Sequence, residues 1–180
     1  AGPNMQYNWI GPSGNIIGTT TVNTLTISNT TAAMSGNYGI YITSLITGNT
    51  SGSTYTTVAI NPLPATPTIN PIATICNGTD LILSSPTIAQ TYVWFGPNNF
   101  WSNGGSSITI SSTTAAMSGT YTLIVYDNNC PSAPASIYVP VYPIPTIQAI
   151  TSNSPACSGR EIIITASVSP TGITTTYAWQ

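Results

Sequence analysis

Apolar residues along this chain fall at every second position in short runs, and clusters of turn-forming residues separate the runs. Leu81 and Leu83, Tyr92 and Trp94, Ile108 and Ile110, and Tyr121, Leu123 and Val125 form one set, with Asp80, Thr109 and Thr122 between or beside them. Successive side chains of a strand point to opposite faces, so a two-residue period describes half-buried β-structure with the apolar set turned inward. Strands are predicted near 68–74, 79–85, 91–96, 107–112, 119–127 and 133–141. β-Branched and aromatic residues dominate them, as a pleated surface favours, and no segment carries a 3.6-residue period. The expected fold class is all-β.

The pattern also repeats at long range. Thr30-Thr-Ala-Ala-Met-Ser-Gly36 recurs as Thr113-Thr-Ala-Ala-Met-Ser-Gly119, an offset of 83, and each copy continues to a tyrosine, Tyr38 or Tyr121. Tyr7-x-Trp9, Tyr92-x-Trp94 and Tyr177-x-Trp179 are spaced by 85, and Cys76-x-Gly78-x-Asp80-Leu81-x-Leu83 matches Cys157-x-Gly159-x-Glu161-Ile162-x-Ile164 at 81. Three registers of one repeat imply tandem domains. Proline-rich joints, Pro62-Leu-Pro64-Ala-Thr-Pro67 and Pro140-Val-Tyr-Pro143-Ile-Pro145, mark the boundaries, since proline removes ladder donors and stiffens a connection. The expected division is 1–62 (partial), 63–143 (complete) and 144–180 (partial), with Trp9, Trp94, Trp179, Tyr38 and Tyr121 in the cores. The incomplete ends suggest either a slice of a longer repeat protein or strands donated by a neighbouring chain.

Trp94 on a third strand, the pair Ile108-Thr-Ile110, and Gly119-Thr-Tyr121 about nine residues later resemble strands C, E and the tyrosine-corner strand F of immunoglobulin-like sandwiches. Where that superfamily carries its F-strand cysteine, this chain has Ile40 or Leu123, which leaves aliphatic packing to replace the inter-sheet bridge. Cys76-Asn-Gly-Thr, Tyr92-Val-Trp-Phe-Gly-Pro-Asn-Asn-Phe100, Met117-Ser-Gly-Thr-Tyr121 and Asp127-Asn-Asn-Cys130 further resemble the immunoglobulin-like and PKD-like repeats of giant Bacteroidota surface adhesins, including those of gliding motility. That resemblance spans nearly the whole chain. It implies tandem immunoglobulin-like β-sandwiches with the terminal ones incomplete, a secreted, extracellular or cell-surface location, export by a type IX system, and a Cys76–Cys130 disulfide. Thr47 stands where the first repeat would match Cys130, so that repeat lacks the bridge, and Cys157 awaits a partner beyond Gln180. The rival reading keeps the cysteines reduced and inert.

Charge narrows the function classes. Of 180 residues one is Lys or Arg, three are Asp or Glu and none is His, so 2% are charged against about 25% in ordinary domains. Arg160 is the lone cation, which argues against nucleic-acid or acidic-membrane partners. No apolar run is long enough for a spanning helix, so membrane insertion is not expected. Without His, general acid–base and Ser-His-Asp chemistry lack a base. Asp80, Asp127 and Glu161 are too scattered for paired-carboxylate catalysis or a calcium loop, and Asp127-Asn128-Asn129 reads as a turn. The chain is therefore expected not to be an enzyme and to need no metal or cofactor.

One loop, 96–105, has a binding look. Phe100 and Trp101, flanked by Asn99 and Asn103, offer rings to stack on a sugar and amides to bond its hydroxyls; the same rings would equally cap the sandwich or pack on a neighbouring repeat. The expected function is a structural or adhesive stalk or filament segment, with a carbohydrate-binding module or an accessory region of a large secreted hydrolase as the alternatives. Expected partners are neighbouring repeats or identical chains, because edge strands without Lys or inward charge are poorly protected, together with surface glycans. Asn29, Asn49 and Asn77 fit the N-glycosylation acceptor pattern.

Overall fold

The computed structural model describes residues 4–169. Tyr177 and Trp179, the third tyrosine–tryptophan pair, lie outside the described residues. The chain divides into two compact units, the main break falling between Pro64 and Ala65 and the short segment Asn128–Cys130 being grouped with the first unit.

The first unit is one four-stranded antiparallel sheet. Strands β1 (Met5–Ile10), β2 (Ile16–Thr20), β3 (Gly36–Ser44) and β4 (Thr54–Val58) lie in the order β2-β1-β3-β4. Trp9 faces Ile40 across β1 and β3, and its indole Nε1–H donates to Thr20 Oγ1 at 3.0 Å. The alternating segment Leu25-Thr-Ile-Ser28 is not a strand here. No strand pairs with it among the described residues.

The second unit completes the plan. Its strands are β5 (Ile75–Cys76), β6 (Leu81–Ser84), β7 (Thr91–Gly96), β8 (Phe100–Ser102), β9 (Ser107–Ile110), β10 (Gly119–Asp127), β11 (Cys130–Pro131), β12 (Ala135–Val139) and β13 (Val141–Tyr142). β6 and β9 make one sheet; β10, between β7 and the β11/β12 strand, makes the other, with β8 at its edge. β5 joins β13 in parallel. Two packed sheets with this order, a β6–β9 pair facing β12-β10-β7-β8, form an immunoglobulin-like β-sandwich.

Why the sheets face each other follows from the alternation. Leu81, Leu83, Trp94, Leu123, Val125 and Val139 are wholly buried, with Tyr121 beside them, while Thr109 and Ile82 between the inward positions are exposed. Trp94 satisfies its indole N–H on the Gly105 carbonyl at 3.1 Å. A core ring of that size is worth about 3–5 kcal/mol against alanine.

Two expectations are corrected. The predicted strand 68–74 is irregular apart from bonds to its neighbour, such as Asn70 N–H to the Ser84 carbonyl at 2.9 Å, because Pro67 and Pro71 remove donors from the ladder. The short strand β8 was not predicted: Asn98 and Asn99, both with positive φ, turn the chain back onto β7, a conformation asparagine tolerates.

Past β13, β14 (Thr146–Ser152) and β15 (Ile164–Ser169) form their own antiparallel pair, with Thr151 opposite Thr165. This register matches the middle repeat, where Asn70 bonds Ser84 at the 81-residue offset.

Candidate functional site

The most exact repeat in the sequence is a clamp. In each copy the tyrosine hydroxyl donates to the methionine carbonyl four residues back, Tyr38 to Met34 at 2.7 Å and Tyr121 to Met117 at 3.0 Å. The serine hydroxyl between them pins the last strand. Ser35 Oγ accepts from the Ile60 N–H at 2.9 Å, and Ser118 Oγ from the Val141 N–H at 2.8 Å. The glycines, at φ 149 and 152, leave no room for a Cβ, which would approach Pro12 and Pro97 to 2.6 Å. A single 3-10 turn, Ala32–Met34 or Ala115–Met117, sets this geometry. The serine, glycine and tyrosine of Met-Ser-Gly-x-Tyr thus each have a structural use, and the methionine supplies its main-chain carbonyl. Burial raises the Tyr121 hydroxyl above the usual 10.0.

The binding-type loop splits into two faces. Phe100 turns inward and meets the Tyr121 ring edge-on, 6.0 Å between centroids. Trp101 turns outward and is 61% exposed. Asn99 sits in the turn with φ 57 and Asn103 is exposed. Phe100 and Trp101 therefore do not share a face, since adjacent strand residues cannot. What Trp101 gains instead is Phe95, directly opposite on β7. Thr122 and Ser136 continue the row on β10 and β12, their hydroxyls 2.8 Å apart. Phe95 went unnoticed in the sequence, although alternation beside the buried Trp94 marks it as outward.

The implied Cys76–Cys130 bridge is not formed; both thiols are free, as is Cys157. Cys76 pairs beside Tyr142, level with the Gly119 end of β10, whereas Cys130 follows the Asp127 end. Nine residues of extended strand separate those ends by roughly 27 Å, and a disulfide needs Cα atoms within about 7 Å.

The carboxylates serve loops. Asp80 accepts from the Ser112 N–H at 3.0 Å, and Asp127 from the Gln90 N–H at 2.8 Å. Asn128 and Asn129, both at positive φ, form the turn after Asp127. Among the described residues no three His, Cys, Asp or Glu side chains gather where they could hold a metal ion. No helix among them is long and apolar enough to cross a membrane.

No family model matches this chain, and no curated protein matches it. Solved structures similar to it include an amphioxus IgVJ-C2 molecule, at 14% identity over 78% of this chain and 90% of that one, with a TM-score of 0.35. Others are the N-terminal four immunoglobulin domains of Dscam1 isoform 8.4 (16% identity, 77% of this chain and 38% of that one, TM-score 0.38) and three N-terminal domains of the bacteriophage RB49 outer capsid protein Hoc (17%, 92% and 59%, TM-score 0.38). The chain spans less than two thirds of these last two. Such likenesses are too distant to bear on function, and the fold rests on the strand order described above.

Proposed function

We propose that this chain is a structural or adhesive segment of a secreted bacterial surface protein, in which β-sandwich repeats strung in tandem form a stalk or extracellular filament. The observation that carries this reading is that the repeated residues serve the fold. The longest identity between copies clamps Tyr38 and Tyr121, and the carboxylates Asp80 and Asp127 cap loops. A chain with 2% charged residues suits an extracellular spacer that does not steer charged ligands and carries few acid–base groups. The adhesin resemblance supports a Bacteroidota source and type IX export.

Solution scattering on chains of two, three and four tandem repeats tests the stalk. The maximum dimension should grow by one fixed step per repeat; growth with the cube root of mass, as in a globule, would discard it.

A second reading, glycan contact, is favoured by one observation, the outward pair Trp101 and Phe95 beside the hydroxyls of Thr122 and Ser136. A glycan array should then show binding that Trp101→Ala abolishes and Phe100→Leu leaves in place. Equal binding by the Trp101→Ala protein would remove this reading.

A further inference from the structure

Asparagine followed directly by glycine occurs twice in the chain, at Asn77-Gly78 and at Asn103-Gly104, both in the middle repeat. Glycine has no Cβ to shield its nitrogen, and its backbone reaches conformations that other residues avoid. Its main-chain nitrogen can therefore come close enough to the asparagine side-chain carbonyl carbon to attack it. The attack needs a glycine N–H able to give up its proton, an asparagine amide that is not held elsewhere, and water.

The fold treats the two pairs differently. Asn77-Gly78 lies in the turn before β6, where the Gly78 N–H donates to the Thr113 carbonyl at 2.6 Å and the Asn77 N–H to the Tyr142 carbonyl at 2.7 Å. Thr113 is wholly buried and also ties down the far side of the turn, donating its N–H to the Thr79 carbonyl at 2.9 Å and its Oγ1–H to the same oxygen at 2.7 Å. While this turn is closed, the Gly78 nitrogen keeps its proton and its place.

Asn103-Gly104 has no such restraint. The pair follows β8 in irregular structure, and both residues are exposed. Among the described residues the Gly104 N–H donates no hydrogen bond and the Asn103 side chain has no partner. The glycine is nonetheless required, since a Cβ at this position would lie 2.6 Å from the Ile108 side chain and 3.0 Å from Ser102 Oγ. Packing thus fixes Gly104, while no hydrogen bond restrains the asparagine before it.

We infer that Asn103-Gly104 is a site of spontaneous deamidation in the folded protein, and that Asn77-Gly78 is protected from it. The Gly104 nitrogen bonds to Asn103 Cγ, the Cγ–Nδ2 bond breaks, and the Gly104 proton leaves with Nδ2 as ammonia. The succinimide that remains takes up one water, which opens either of its carbonyls. One opening leaves aspartate at 103; the other leaves isoaspartate, whose main chain runs through the side-chain carbon. Either product adds one carboxylate, which takes the net charge from −2 to −3. The new charge arises next to β8, the edge of its sheet, where it opposes pairing with another chain. Isoaspartate also lengthens the backbone ahead of Gly105, whose carbonyl holds the Trp94 indole N–H. None of this depends on the stalk or glycan readings.

Incubating the whole chain in mildly alkaline buffer, with peptide mapping by mass spectrometry and isoaspartyl methyltransferase labelling, tests the inference. In the native chain Asn103 should convert at least about tenfold faster than Asn77, because reaction at Asn77 waits on opening of its bonded turn. In urea, where that turn is open, the two sites should convert at similar rates. The product at 103 should be a mixture of isoaspartate and aspartate. Asn103→Gln, at an exposed site, should fold normally and remove the native-state charge change, since glutamine would have to close a larger and slower-forming ring. Equal rates at the two sites in the native chain, a rate difference that persists undiminished in urea, aspartate without isoaspartate at 103, or an unchanged charge shift in the Asn103→Gln protein would each overturn the inference.

Discussion

The first and middle repeats share the clamp, the register and the tyrosine–tryptophan pair, but only the middle one encloses its core. Trp9 faces Ile40 as Trp94 faces Leu123. Trp94 is wholly buried and Trp9 is half-buried. The difference comes from β6: Leu81 and Leu83 pair with Ile110 and Ile108 to make the opposite sheet, whereas among the described residues no strand pairs with the segment Leu25–Ser28. The first repeat has the strand order β2-β1-β3-β4, which corresponds to β8-β7-β10-β12 in the middle one. Sheet order is encoded locally by the strands and clamp, whereas burial is a property of the pair.

The largest expected effect follows directly. Trp94→Ala should destabilise the middle repeat by about 3–5 kcal/mol, and Trp9→Ala the first repeat by less, since less apolar area leaves water there. Urea unfolding followed by the fluorescence of the remaining indoles measures both; equal losses would erase the contrast between the repeats.

Next comes the clamp. Gly119→Ala forces a side chain into positive φ and against Pro97, and should cost about 1–3 kcal/mol. Pro97→Ala in the same chain should return part of that, because the steric share is removed and the dihedral share stays. The Gly36 and Pro12 pair should respond alike, because the clamp is the feature that the two repeats share.

Tyr121→Phe should cost about 1 kcal/mol through the lost bond to Met117. The pH dependence carries a sign. Burial raises the folded-state value of Tyr121 above the usual 10.0, so folding favours the protonated hydroxyl. That contribution is fully present below the unfolded value and is lost as pH rises through the folded one. Alkaline denaturation midpoints should therefore depend less on pH in the Tyr121→Phe protein.

The smallest expected effect concerns sulfur. Cys76→Ser and Cys130→Ser should each shift stability by less than about 0.5 kcal/mol, with or without reductant. A loss near 4 kcal/mol, the size expected of a bridge closing a loop of that length, would contradict the separation of the two thiols along β10.

The sequence by itself determined the class of fold, the repeat and most inward positions of the middle repeat. Alternation is a covalent property of strands, and Leu81, Leu83, Trp94 and Leu123 needed no further information to be assigned inward. Pairings between distant residues were decided only by tertiary structure. Cys76 and Cys130 look like partners in one dimension and lie at opposite ends of a strand in three. Phe100 and Trp101 look like one site and belong to two faces, the second shared with Phe95.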